Sequence, residues 1–210
     1  MEIRVNPTRM ELLRLRRRLA TARRGHKLLK DKLDEMMKRF MALVEENRKR
    51  RAEVEEALAQ AGASFLMARA LMGEHATDLA ISVPVVRVGL EAGVRRILNV
   101  AVPAFQLTQD RPETFPYGFA DTSGELDAAI ALLRDTLTAL IQLVESEKAI
   151  ELLAAEIERT RRRVNALEYV LIPQLQEKAR FIAMKLDENE RATRTRLMKI
   201  KDMVRAEGAL

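Results

Sequence analysis

The sequence predicts an all-α fold in which a long N-terminal helix and a long C-terminal helix pair as an antiparallel two-helix coiled coil, with a short central β-hairpin module between them. Of the 210 residues, 32% are charged and only 4% are aromatic, a composition that favours helices over sheets. Proline is absent between Thr8 and Val83 and again between Tyr117 and Ile172. A regular apolar repeat fills the first of these gaps and completes the case for a coiled coil.

The first helix has a clear start signal and an unusually long seam. Asn6-Pro7 is a favourable beginning, and Thr8 with Glu11 matches a capping box. Alternate steps of three and four residues then give fifteen positions, of which twelve are apolar. So long a 3.5-residue repeat is typical of a coiled-coil seam. The fifteen positions are Leu12, Leu15, Leu19, Ala22, His26, Leu29, Leu33, Met36, Phe40, Leu43, Asn47, Arg50, Val54, Ala57 and Ala61.

Three polar residues interrupt this seam. We interpret His26 as a packed or register-setting residue rather than a metal ligand. Asn47, followed by Arg50, is interpreted in the same way, because a polar seam residue fixes register at a cost in stability. The alternative for Asn47 and Arg50 is a local opening where another protein of a complex docks.

The second helix is predicted to begin at a capping box formed by Thr122 and Glu125. Its first seam positions again alternate by three and four, and Pro173 is expected to mark a change in packing with a kink. Beyond it we predict an eleven-residue repeat, which straightens the supercoil. The heptad positions are Leu153, Ile157, Thr160, Val164, Leu167 and Leu171; the eleven-residue series are Leu171, Ile182, Thr193 and Val204, and Leu175, Leu186 and Leu197.

Each seam needs a partner, and the nearest is the other long helix of the same chain. Antiparallel pairing would bring both termini together and place Leu15 near Val204, while an intermolecular dimer remains open. The predicted segments are 1–76 for the N-terminal helix, 77–121 for the central module and 122–210 for the C-terminal helix.

The central module is predicted to contain two short strands, at 80–88 and 96–102, joined by a turn at 89–93. β-Branched residues fill both strands, and Pro84 and Pro103 would confine them to sheet edges. An isolated hairpin is marginal in water, so we expect it to lean on a helix or on another protein.

No catalytic motif is visible. The chain has no cysteine and two histidines, which excludes thiolate sites and His-rich metal sites, and it has neither a phosphate-binding loop nor a dinucleotide fingerprint. We therefore expect no catalytic residue, no cofactor and no metal. No signal peptide is visible and the longest uncharged stretch, 97–109, is too short to cross a bilayer, so a soluble intracellular protein is expected.

Positive charge is concentrated at the N-terminal end. Residues 1–30 carry ten Arg or Lys and two Glu, whereas the net charge of the whole chain is +6. Such a cluster suggests an acidic protein surface or nucleic acid. Few aromatic residues accompany it, so single-strand recognition is poorly supported, but non-specific duplex binding stays open.

Two groups of residues carry a family resemblance. They are Pro7-Thr8-Arg9-Met10 with Leu12-Leu13 and Gly25-His26-Lys27-Leu28-Leu29-Lys30-Asp31-Lys32, and Arg163-Val164-Asn165-Ala166-Leu167-Glu168 with Ile172-Pro173. With these motifs the chain resembles the D subunits of the V-type ATPases and ATP synthases over its whole length. The resemblance implies a non-catalytic central rotor stalk that couples ATP synthesis or hydrolysis in the head to proton or sodium transport through the membrane ring.

The resemblance also implies partners and a location. The partners would be the catalytic and regulatory nucleotide-binding subunits of a hexameric head, the F subunit, and a funnel-shaped subunit above the membrane ring, on the cytoplasmic side of the membrane and without membrane insertion. A coiled-coil scaffold or tether, or a nucleic-acid-binding coil, is the alternative. Candidate head contacts are Arg9, Arg14, Arg16, Arg17, Arg23, Arg24, Lys27, Arg191, Arg194, Lys199 and Lys201; candidate contacts for the F subunit are Val85, Val86, Val88, Ile97, Val100 and Val102.

Overall fold

The computed structural model of the chain describes residues 6–82, 87–109, 117–118 and 122–207. Its elements are α1 (Arg9–Met72), α2 (Glu74–Ile81), β1 (Val88–Ile97), β2 (Val100–Gln109), α3 (Gly124–Asn165), a π-helical segment (Ala166–Leu171) and α4 (Ile172–Glu207). The predicted fold class is confirmed. The chain divides into two compact units, Met1–Asp34 with Glu158–Leu210, and Glu35–Ile157.

Helix α1 begins and ends at residues whose chemistry explains the limits. Thr8 caps the start, since its Oγ1 accepts a hydrogen bond from the backbone N–H of Glu11 at 3.2 Å. At the other end Gly73 has a φ of 83°, a left-handed conformation that L side chains rarely adopt. Every one of the fifteen predicted seam positions of α1 is buried or half-buried, so the 3.5-residue repeat is confirmed.

In the first unit the N-terminal part of α1 runs antiparallel to the C-terminal helices. Arg9 reaches Glu190 at 2.5 Å, whereas His26, farther along α1, reaches Glu168 at 3.2 Å. Between these two contacts Leu15 packs against Leu175 and Ile182. As the residue number on α1 increases, the residue number of its contact on the C-terminal helices decreases. This order establishes antiparallel pairing within the unit. The predicted proximity of Leu15 to Val204 is therefore wrong, and Val204 is exposed.

The π-helical segment adds one residue to the C-terminal seam. The backbone N–H of Ile172 donates to the carbonyl of Leu167, five residues earlier. Pro173 follows directly, and a proline ring clashes with the carbonyl four residues before it while offering no N–H. A wider turn at this point relieves the clash, because π-helical turns bond at i→i+5.

The inserted residue corrects the predicted eleven-residue repeat. Leu171 is 42% exposed, and Thr193, Leu197 and Val204 are exposed as well. The seam instead steps from Leu167 by five residues and then resumes the heptad alternation. Its later positions, all buried or half-buried, are Ile172, Leu175, Ala179, Ile182 and Leu186.

In the second unit the rest of α1 pairs with the first part of α3, again antiparallel. Asn47 bonds Ser146, and farther along α1 Ala68 packs with Leu126. Ala80 of α2 completes the Ala68–Leu126 cluster, and Tyr117 packs against it.

The start of α3 differs by one residue from the prediction. The hydroxyl of Thr122 donates to the carbonyl of Gly118 at 3.0 Å, so the Thr122 side chain is directed towards Gly118 rather than into the helix. Ser123 precedes the first helical residue, and its carbonyl accepts the N–H of Leu126 at 3.0 Å. The capping box of Thr122 and Glu125 is therefore wrong.

The β-hairpin exists, but both predicted strands were misplaced. Ala80 and Ile81 end α2, residues 83–86, Pro84 among them, lie outside the described residues, and the predicted turn at 89–93 lies inside β1. The real turn is Leu98-Asn99, with φ values of 47° and 73°. Two positive φ values match the twist of a two-residue hairpin. Asn favours a positive φ but Leu does not. Only one of the two turn residues therefore indicated a turn at this place in the sequence.

Leu175 and Leu197 provide a matched pair that tests the corrected seam, since the predicted eleven-residue repeat made them equivalent. Leu175 is 8% exposed and Leu197 is 59% exposed. Leu175→Ala is expected to lower the free energy of unfolding by about 2–5 kcal/mol through the cavity it leaves. Leu197→Ala is expected to change it by less than about 0.5 kcal/mol. Urea denaturation followed by circular dichroism measures both, and equal effects would contradict the heptad with one insertion.

Tyr117 gives a prediction for alkaline pH. Its hydroxyl donates to Asp127, and burial, followed by that hydrogen bond and charge, raises the pKa of Tyr117 from 10.0 to about 12. The folded state therefore holds this proton more tightly than the unfolded state. Its stabilising contribution is complete below pH 10 and is lost as the pH rises towards 12.

This loss is measured by comparing the wild type with Tyr117→Phe in urea denaturation between pH 9 and about 12. The difference in unfolding free energy between the two proteins is expected to shrink across that window. Phenolate absorbance in a Tyr169→Phe background isolates the titration of Tyr117, since the chain has two tyrosines. A midpoint at pH 10 would contradict the prediction.

Candidate functional site

The candidate head-contact residues are all on the surface of the first unit. Seven of these residues lie on α1, from Arg9 to Lys27, and four lie on α4, from Arg191 to Lys201. Every one of the eleven is exposed. This arrangement follows from the amphipathic pattern of the helices. The apolar residues are buried in the seam, so the arginines lie on the outer faces.

Few of these cations are neutralised within the chain. Arg9 and Arg194 both approach Glu190, at 2.5 and 4.0 Å, and Arg14 lies 3.7 Å from Glu11. The other eight form no ion pair with any residue that the structure describes. Exposed pairs of this kind contribute about 0–1 kcal/mol, so this charge contributes little to folding and is available to a partner.

His26 lies on the seam and has a partner across it. Its Nε2 is 3.2 Å from Oε2 of Glu168, and its side chain is 20% exposed. Glu168 belongs to the π-helical segment, which the sequence pattern did not predict. The pair therefore joins the N-terminal part of α1 to the one irregular turn of the C-terminal helices within the described ranges.

Asn47 makes the second polar contact of the seam. Its Nδ2–H donates to Oγ of Ser146 at 2.8 Å, and the hydroxyl of Ser146 donates to the carbonyl of Leu143 at 2.8 Å. Arg50, at the next seam position, bonds Glu46 on its own helix at 2.6 Å. The two helices are therefore joined at Asn47 by a direct hydrogen bond.

The hairpin presents two chemically different faces. Val100 and Val102 lie on the inner face with Arg95; Val102 is 1% exposed, and Arg95 reaches Glu145 of α3 at 3.0 Å. The backbone N–H of Phe105 also donates to Glu145, at 3.4 Å. Side chains on this inner face attach the hairpin to its own chain.

The candidate contacts for the F subunit are thus divided. Val85 and Val86 lie outside the described residues. Val88 is 52% exposed, Ile97 and Val100 are half-buried, and Val102 is buried within this chain.

The outer face of the hairpin is largely apolar and was not predicted from the sequence. Leu90 pairs with Leu107 and Val94 with Pro103, and Leu90 and Val94 are 52% and 76% exposed. Alternation along β1 could have revealed this face, but the strands were placed in the wrong register. The apolar residues of the outer face are Val88, Leu90, Ala92, Val94, Ala101, Pro103, Phe105 and Leu107, and the exposed Arg96 lies on the same face beside the turn.

Two further features bear on the class of protein. Among the described residues, no three His, Cys, Asp or Glu side chains come together as a metal site. No helix within the described ranges is both long and apolar enough to cross a membrane. The fold and its surfaces define a class: a helical coiled-coil protein with an appended β-hairpin, whose exposed chemistry is positive charge on the outer faces of the terminal helices and an apolar sheet face.

Comparisons with known proteins place the chain within that class. The model of the family described as the D subunit of ATP synthase matches residues 11–202. The V-type ATP synthase D subunit of Acetivibrio thermocellus is 54% identical over 205 residues, which cover 96% of this chain and 92% of the relative. Those of Thermoanaerobacter pseudethanolicus and Clostridioides difficile are 53% and 52% identical, over 96% and 95% of this chain and 97% and 91% of theirs. The chain belongs to the family of ATP synthase D subunits.

Asn47 provides a test of the seam's polar contact. Replacing Asn47 by Leu removes a half-buried amide, and Ser146 keeps its bond to Leu143. The melting temperature is expected to rise by about 2–4 °C, equivalent to roughly 1 kcal/mol in a chain of this size. Ser146→Ala is expected to lower it, since the Asn47 amide loses its acceptor. A marked drop with Asn47→Leu, measured by thermal circular dichroism, would contradict a register role.

Proposed function

We propose that this chain is the non-catalytic central shaft of a V-type rotary ATPase or ATP synthase. Membership of the ATP synthase D-subunit family over residues 11–202 carries the proposal, because the close relatives are named as subunits of a V-type ATP synthase. The shaft couples ATP synthesis or hydrolysis in the head to proton or sodium transport through a membrane ring. It lies on the cytoplasmic side of the membrane as a peripheral part of the complex.

The exposed cations of α1 and α4 are proposed to face the ring of catalytic and regulatory nucleotide-binding subunits. Eight of the eleven have no carboxylate partner within the described ranges, which supports this role, since they are free to meet acidic or polar surfaces. Charged and solvated contacts of this kind are individually weak. Because each such contact is weak, the shaft can exchange one set for the next as it turns inside the ring.

The hairpin, with the adjacent helix, is proposed as the contact for the F subunit. Val88, Leu90 and Val94 supply exposed apolar surface on one strand, and a contiguous apolar patch of this kind is typical of an interaction site. The funnel-shaped subunit above the membrane ring is proposed to receive the end of the shaft that lies opposite the head, where the F subunit also binds.

The two helices of the shaft differ in a way that suits rotation. The C-terminal partner of α1 contains a π-helical segment and the N-terminal helix does not. Because two unlike helices make an asymmetric surface, each surrounding subunit would meet a different set of contacts. Differential contacts shift the populations of open and closed nucleotide sites, so that rotation would change each site in turn.

Catalysis is proposed to lie in the head, with no catalytic residue, cofactor or metal supplied by this chain. The proposed division of labour follows the segments 1–76 and 122–210 for the shaft and 77–121 for the module that binds the F subunit. A coiled-coil scaffold unrelated to rotation, or a duplex-binding coil, is the competing function.

The test is reconstitution with the purified nucleotide-binding subunits of the same complex, with and without the F subunit, followed by light scattering on a sizing column. One copy per hexameric head and altered ATP turnover are expected. Arg23→Glu combined with Arg24→Glu is expected to weaken head binding about tenfold through like-charge repulsion. Lys49→Glu, an exposed control in the second unit, is expected to leave it unchanged.

A scaffold would bind without changing ATP turnover. A duplex-binding coil would bind DNA with steep salt dependence and ignore the head. Absence of head binding by a folded, helical wild-type chain would refute the proposal.

A further inference from the structure

A groove runs along the first unit where α1 meets the π-helical segment. Its volume is about 900 Å³, and its apolar lining includes Met10, Leu13, Leu167, Leu171 and Leu175. Met10 and Leu13 are 80% and 52% exposed, and Leu171 is 42% exposed. These side chains leave a sizeable apolar surface in water, which a partner would cover favourably because burial of apolar surface is stabilising.

The groove is a consequence of the inserted residue. In an uninterrupted heptad, Leu171 would occupy the seam position after Leu167. The π-helical turn moves Ile172 into that position instead, and Leu171 is left beside the seam. The apolar wall of the groove is therefore built by the same irregularity that accommodates Pro173.

The rim of the groove carries positive charge. Arg14, Arg17 and Arg18 line it with a single carboxylate, Glu11. Arg14 lies 3.7 Å from Glu11, while Arg17 and Arg18 pair with no side chain among the residues described. Guanidinium groups bind carboxylates in a bidentate geometry and are less strongly hydrated than ammonium groups, so this rim is suited to acidic side chains.

We propose that the groove binds an amphipathic, acidic helical segment of a partner protein, with its apolar side chains against Leu13 and Leu171 and its carboxylates against Arg17 and Arg18. This inference rests on the proposed function and deepens it, since it specifies the chemistry of one head contact. An uncharged apolar segment would leave the arginines unpaired, and a nucleic acid backbone would leave the apolar wall uncovered. A segment with both features satisfies both sets of groups.

The binding test uses the full-length chain and a fluorescent helical peptide with Leu at positions i, i+3, i+4 and i+7 and Glu on the flanks. Two matched peptides carry Lys in place of Glu, or Ser in place of Leu. Fluorescence anisotropy at moderate salt is expected to show binding of the Leu/Glu peptide, weakened about tenfold or more in both matched peptides.

Variants locate the binding site. Leu13→Asn, Leu171→Asn and Arg17→Glu are each expected to weaken binding of the Leu/Glu peptide about tenfold. Leu28→Asn and Arg180→Glu are controls, because both residues are exposed and neither lines the groove; they are expected to leave binding within about twofold. Circular dichroism and thermal unfolding confirm that every variant is folded, as expected for substitutions of exposed side chains.

Several results would overturn the inference. Equal binding of the Lys peptide would remove the role of the arginine rim, and equal binding by the groove variants would place the site elsewhere. Dimerisation of the chain abolished by Leu13→Asn would identify a second copy as the occupant, and binding only to vesicles of anionic phospholipid would identify a lipid surface. If the wild type binds the head while the groove variants bind it equally well, the inference fails and the proposed function stands.

Discussion

Burial of the apolar seam is the constraint on which the rest of this structure depends. Helix α1 is 64 residues long, and an isolated helix of largely polar sequence is marginal in water. Its stability must come from packing, and the packed positions are those of the heptad. The C-terminal helices supply the opposing seam in each compact unit, so the paired helices stabilise each other and the hairpin is secondary to them.

The proline in the C-terminal helix shows how a local conflict is resolved without breaking that seam. Pro173 cannot donate to the carbonyl four residues before it, and its ring would clash there. One extra residue in a π-helical turn relieves the clash and moves the seam position that follows Leu167 from Leu171 to Ile172. Because Ile172, Leu175 and Ile182 then resume the alternation, the pairing with α1 continues on both sides of the irregularity.

Sequence patterns predicted those features that repeat and missed those that occur once. The seam of α1 was correct at all fifteen positions, since a heptad is averaged over many turns. The π-helical insertion was mistaken for an eleven-residue repeat, because Leu171, Ile182 and Thr193 happen to share that spacing. The hairpin turn was missed for a related reason: its geometry depends on Leu98 and Asn99 alone, and Leu at a positive φ gives no sequence signal. Of the candidate contacts, exposure of the terminal cations followed from the seam, whereas the apolar outer face of the hairpin required the correct strand register.

The distribution of charge separates what holds the chain together from what it offers to others. Arginines on the outer faces of α1 contribute little to stability, because exposed pairs are weak and most of these residues lack a partner among the described residues. A polar seam residue such as Asn47, which bonds Ser146, is predicted to do the opposite: to fix the register at a cost in stability. Charge on the surface and polarity in the seam can therefore vary independently. A family in which the surface must fit a partner can adjust its cations without disturbing the packing that keeps the two helices paired.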